Sequence, residues 1–219
     1  MRKLAIDRRA YGLVVADELL FYRVYRTSFP GPDDAYFHFD FTRPRQITVQ
    51  QYNQAKYHAP LMPYQDNEAV AFLPTGATLR CSPQDSVVRC FSAAGQLLRE
   101  LPPSIEAAME ITSITVDAAH HLWTAVPGFH QVAQYELASA QKLYEVGGSW
   151  EPGELNHPES AICYEQTVFI SDMGHQRLVQ LNTRTKALQT YRTFTQAVWE
   201  YRRVGEQEVV RLQDGLYVL

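Results

Sequence analysis

Acidic side chains at strand ends, scattered histidines and three cysteines are the groups in this chain that could do chemistry. Glu68, Asp117 and Glu159 stand near the starts of similar segments, so their spacing would bring them to one face of a repeated fold. Carboxylates gathered in that way could hold a metal ion that activates water for hydrolysis. The histidines do not add to such a site. His120 and His121 are adjacent in a turn and point to different sides. His130 and His175 occupy equivalent hairpin positions, which repeat around the fold without meeting, and His157 lies in an "NHP" entry segment. No H-x-x-x-H or mixed Cys/His pair is present, and the expectation is no metal and no cofactor. Cys81, Cys90 and Cys163 cannot all pair and have no C-x-x-C spacing. They read as core thiols in a reducing cytoplasm. There is no G-x-S-x-G, no P-loop and no glycine-rich dinucleotide fingerprint.

The elements that would carry these groups repeat. "VRCFSAAGQLLREL" (88–101), "VAQYELASAQKLYEV" (132–146) and "LVQLNTRTKALQTY" (178–191) each alternate, turn and alternate again. Their starts are 44 and 46 residues apart. Before them come "AVAFLPTGATLRC" (69–81), "SITVDAAHHLWTA" (113–125) and "SAICYEQTVFIS" (160–171), each a pair of short apolar strands about a turn. Four strands in 40–45 residues is the unit of a β-propeller blade. A further blade is expected over 12–49, interrupted by the "SFPGPDDA" loop at 28–35. Residues 197–219 supply three strands, with a turn at Gln213-Asp214-Gly215. The missing fourth is expected from "RKLAID" (2–7), pairing beside 216–219, because an open fold would leave an unpaired sheet edge. The expected fold is therefore an all-β, five-bladed β-propeller, one domain over residues 1–219, with its N-terminal strand closing the last blade.

The stretch "LNHPESAICYEQTVFISDMGHQRLVQLN" (155–182) resembles the NHL repeat. "LNHPES" matches the entry segment, "TVFISD" the second strand with Asp172, and "DMGHQRLVQL" the hairpin with Gly174 and Arg177. His175-Gln176 replaces the usual Asn-His. The preceding blade keeps the strands but has "AVPGFHQV" where the Asp and Arg would be. The resemblance covers about half the chain with decreasing strength, and the other blades are degenerate. An Asp and a Gly at a hairpin tip suit a tight turn, and an Arg three residues on can reach the Asp or nearby carbonyls. These three residues are read as structural.

Metal-dependent lactonases and esterases of the propeller type are similar in repeat shape, and that resemblance would imply acids lining a central channel. Their "SPDG"-like turn is replaced here by "LPTG", "DAAHH" and "YEQ". A metal-dependent hydrolase is therefore the alternative. The first reading is a non-enzymatic binding scaffold for another protein, with a small molecule left open. The chain has 219 residues and a net charge of −4, which speaks against nucleic acid, whose phosphates need clustered Lys and Arg. No apolar run approaches a membrane span, and Asp7, Arg8 and Arg9 break any leader-like start. The expected location is the cytoplasm.

In a propeller, the connections between blades share a face with those between second and third strands. The longest connections here, 28–35, 51–67, 101–112 and 147–157, all fall in those classes. They carry Tyr57, Tyr64, Trp150, Glu151 and Glu154, aromatic anchors rimmed by acids of the kind that dominate protein interfaces. This face is expected to take the partner. The turn at 118–121 belongs to the opposite face.

Overall fold

Alternating apolar and polar residues put one face of each strand toward a core, and short polar turns return the chain beside itself. The computed structural model describes residues 1–25, 34–57, 69–82, 87–101 and 110–219. They form five four-stranded antiparallel sheets, the blades of a five-bladed β-propeller. The chain divides into two compact units, residues 1–66 with 200–219 and residues 67–199.

The first unit contains the sheet of β2 (Ala10–Ala16), β3 (Leu19–Val24), β4 (Ala35–Phe39) and β5 (Pro44–Ile47). β2 and β3 are joined by Asp17 and Glu18, both at positive φ, the two-residue turn whose twist matches that of the strands. The other sheet runs in the order β1 (Arg2–Lys3), β20 (Gly215–Val218), β19 (Gln207–Leu212) and β18 (Val198–Val204). The N-terminal strand therefore completes the last blade. Arg2 pairs with Val218 and Lys3 with Tyr217, and the Leu4 amide donates to the Leu216 carbonyl at 2.8 Å. Leu4 and Ile6 then drop into a core with Leu13, Leu20, Val209 and Leu216.

Glu200 clips the two sheets of this unit together. Its carboxylate accepts the amides of Gly12 (3.1 Å) and Leu13 (3.0 Å), and the Arg211 Nη1 donates to it at 3.2 Å. Arg202 Nε returns a bond to the Leu13 carbonyl. Burial alone would raise the carboxyl's pKa, but Arg211, Arg202 and the two amides hold it below its ordinary value.

One element departs from the expected linker. Val49–Tyr57 forms a helix, α1, where a long irregular connection was expected. The cause is a reciprocal cap. The Thr48 amide donates to Gln51 Oε1 (2.9 Å), and the Gln51 amide donates to Thr48 Oγ1 (3.2 Å). Tyr52 and Ala55 then face inward three residues apart, and the Tyr52 hydroxyl donates to the Gly12 carbonyl at 2.7 Å.

The second unit contains three sheets: β6 (Ala69–Phe72), β7 (Thr78–Cys81), β8 (Val88–Phe91) and β9 (Leu97–Leu101); β10 (Ser113–Val116), β11 (His121–Val126), β12 (Gln131–Glu136) and β13 (Lys142–Val146); and β14 (Pro158–Tyr164), β15 (Thr167–Asp172), β16 (Arg177–Asn182) and β17 (Leu188–Thr193). Two apolar clusters fill it, one around Leu79 and Ala133, the other around Trp123, Ile170 and Val179. Most of the connection expected at 101–112 lies outside the described residues. Among the described residues no helix is long and apolar enough to cross a membrane.

Deleting residues 1–8 removes the partner of β20 and uncovers the apolar floor beneath Leu4 and Ile6. The melting temperature is expected to fall by about 10 °C. Thermal unfolding followed by circular dichroism checks this, and an unchanged midpoint would show that β1 contributes nothing to the last blade.

Candidate functional site

Asp172 ends β15 and is fully buried, so its charge needs partners. Oδ1 accepts the amide of Asn156 at 2.7 Å. Oδ2 receives Arg177 Nε at 2.7 Å and faces His175 Nδ1 at 2.9 Å. Arg177 also donates through Nη2 to the Glu154 carbonyl at 2.5 Å. The Gly174 amide donates to the Asn156 carbonyl at 2.8 Å, and a Cβ on Gly174 would sit 2.4 Å from the Asn156 side chain. The three hairpin residues thus act together. They grip the loop at 147–157 by its backbone, and their contacts are structural.

The same loop is held on its other side by the connection from β11 to β12. Pro127–Phe129 forms a 3-10 turn, which His130 ends at φ 51° by donating its amide to the Pro127 carbonyl. Gly147, at φ +76°, passes so close that a Cβ there would lie 1.9 Å from the His130 carbonyl oxygen. Only glycine fits that approach and that dihedral. The Trp150 ring meets Phe129 edge to face, with centroids 5.3 Å apart. The His157 amide donates to His130 Nδ1 at 2.9 Å. Leu155, fully buried, roots the loop, whereas Trp150 is 71% exposed and Glu151 and Glu154 stand in solvent.

The contact between His130 and His157 was not legible in the chain. The hairpin pattern placed His130 in register with His175, while its actual neighbour comes from the next blade's entry segment. Burial, and then the electrostatic coupling to the neighbouring His130 ring, hold the His157 imidazole below its ordinary pKa. His157 Nε2 lies 3.4 Å from Glu159 Oε1, which places that acid beside the loop.

The other expected anchors fall elsewhere. Tyr57 is the last residue of α1, in the first unit, and is only 4% exposed. Tyr64 and Glu68 lie outside the described residues, as do most of 28–35 and 101–112. Of the five residues expected on the loop face, Trp150, Glu151 and Glu154 are the ones that this loop presents together.

Asp117 sits at the opposite turn, closed in by donors. Its Oδ1 accepts the amides of Ala119 and His121, both at 2.9 Å. Oδ2 accepts Trp123 Nε1 (2.9 Å) and Gln134 Nε2 (3.1 Å) and faces His121 Nδ1 at 3.2 Å. Lys186 bonds Gln134 Oε1 at 2.6 Å and lies over the Trp123 and Tyr144 rings. This carboxylate organises a turn. Burial pushes the nearby Cys163 thiol up to about 12, which leaves it protonated at neutral pH and poor as a nucleophile. Among the described residues no three His, Cys, Asp or Glu side chains converge as a metal cluster.

No family model and no curated protein matches the chain. Solved structures do match. A streptogramin B lyase superposes at a TM-score of 0.59 with 11% identity, covering 99% of this chain and 96% of its own. The virginiamycin B lyase of Staphylococcus aureus gives 0.59 at 12% identity, over 97% of this chain and 80% of that one. YCF48 bound to a D1 peptide gives 0.57 at 11% identity, over 94% and 75%. The likeness is to β-propellers. At these identities it is one of fold alone.

Two expectations follow from the buried carboxylates. Asp172→Asn leaves Arg177 without its counter-charge and turns an amide toward donors, so urea denaturation should show a loss of about 3 kcal/mol. An unaltered midpoint would mean that the grip on the loop is not energetically significant. For Asp117, burial raises the carboxyl pKa, but the His121 amide, the Trp123 indole and His121 outweigh it and hold the value below the ordinary one. Its contribution is therefore present above about pH 4 and lost as pH falls through the depressed value. Asp117→Asn should be less stable at pH 7 and show a shallower loss of stability in acid. Parallel acid curves for variant and native protein would contradict this.

Proposed function

We propose that this chain is a non-enzymatic scaffold, acting as one propeller domain, that binds another protein through the loop face bearing Trp150. The observation that carries this reading is the contrast within a single loop. Its backbone is tied at both ends, and its largest aromatic side chain is left in solvent. An exposed tryptophan on a pre-ordered backbone can bury its area in a partner without a large ordering cost. Glu151 and Glu154 beside it would favour a partner with Lys or Arg around the contact. The NHL-like hairpin of Asp172, Gly174 and Arg177 supports the same assignment, since it serves the loop. The donor-filled Asp117 weighs against the metal-dependent hydrolase reading. The free cysteines fit a reducing cytoplasm.

The test is a quantitative pull-down from lysate with three baits: native chain, Trp150→Ala, and Ala118→Arg on the opposite face. The Trp150→Ala bait should lose a co-purifying polypeptide by tenfold or more, a loss typical of a dominant anchor. Its melting temperature should stay within a few degrees of native. The Ala118→Arg bait should retain the polypeptide. Loss with Ala118→Arg and retention with Trp150→Ala would place the binding surface on the other side.

A further inference from the structure

We propose that His130 is a pH-responsive latch, which holds the loop at 147–157 while its imidazole is neutral and lets it go when the ring is protonated. The proposal concerns regulation of the face assigned above, and its meaning for binding rests on that reading. A backbone amide can only donate, so His130 Nδ1 must accept the 2.9 Å bond from the His157 amide. The ring proton of the neutral form is then on Nε2. Protonation would put a second N–H at Nδ1, pointing at the His157 N–H. The bond becomes a repulsion between two donors.

The surrounding groups make this sense of response specific to His130. From the adjoining loop come Glu151, Glu154 and His157, from β14 Glu159, and from β13 Glu145, whose carboxylate accepts a bond from Gln131 Nε2 at 2.8 Å. From β15, β16 and their turn come Asp172, His175 and Arg177. His175 Nδ1 faces the Asp172 carboxylate, so its protonation strengthens that contact. His157 Nε2 faces Glu159, so its protonation would do likewise. Of the three imidazoles at this loop, His130 is the one whose bond to it requires an unprotonated nitrogen. The other holds on this side are the Phe129–Trp150 ring contact and the close passage of Gly147, and neither titrates. Histidine changes charge between about pH 5 and 8, above the ~4 at which ordinary carboxylates do so.

Amide hydrogen exchange of the full chain at pH 7.5 and pH 5.5, scaled for the intrinsic pH dependence of exchange, tests the proposal. Protection of the His157 amide should fall about tenfold at pH 5.5, while β15 and β16 keep theirs. His130→Asn supplies a side-chain oxygen acceptor, tolerates the positive φ and does not titrate, so its protection should be equal at both pH values. Equal protection in the native chain would overturn the proposal, and so would a pH-dependent loss that persists in His130→Asn. Should that variant not fold, the native chain still decides. The nitrogen shift of the His157 amide must titrate with the midpoint of the His130 ring carbons, and a different midpoint refutes the latch. Exchange reads the loop without a partner, so its failure is separable from failure of the binding assignment.

Discussion

A carboxylate removed from water must be surrounded by donors, and this protein meets that demand with backbone amides from neighbouring segments. Asp172 takes the amide of Asn156, sixteen residues away, and Glu200 takes those of Gly12 and Leu13 from the far end of the chain. Asp117 closes its own turn and draws in Trp123 and Gln134 from two strands. In the first unit, Asp34 receives the Tyr11 hydroxyl and lies 3.8 Å from Arg23, whose guanidinium stacks on the Tyr11 ring. Asp172 and Glu200 are clips between elements that β-ladders do not join, whereas Asp117 braces a turn against strands of its own sheet. Ladders satisfy backbone groups within a sheet, whereas these clips tie connections and adjacent sheets to one another within each unit.

That division explains what the sequence could and could not reveal. Blade count and strand pairing follow from alternation and turn residues, which are local. The closing strand was legible because three strands at one end and a stray "RKLAID" at the other left a single economical pairing. Helix α1 is hard to read from the chain although its signal is present. Thr48 and Gln51 form a capping box, but the polar run "VQQYNQAKY" lacks a broad apolar stripe, since Tyr52 and Ala55 supply most of its inner face. Propensity and hydropathy point to a linker there, and the cap together with packing of Tyr52 against Gly12 decides otherwise.

The site shows the same boundary. Asp172, Gly174 and Arg177 could be singled out from a motif within six residues, and their structural use was readable from turn chemistry. Trp150 stood out by type and by its Gly/Pro-rich setting. The meeting of His130 with His157 could not be read, because it depends on how one blade's second-to-third connection rests against the next blade's entry. Tyr57 illustrates the converse. Its position in an apparent loop suggested exposure, but the end of α1 turns its ring inward.

The loop at 147–157 thus has two kinds of hold with different chemistry. The side facing Asp172 is ionic and gains strength when a nearby imidazole is charged. The side facing His130 relies on a neutral ring, an aromatic edge and a glycine too close for any side chain. Leu155 fixes the base under both. Loss of the His130 side would leave residues 154–156 clipped by Asp172 and Arg177 while the tip around Trp150 gained freedom. Such a hinge places the change in mobility at the exposed aromatic group and leaves the blade beneath it intact.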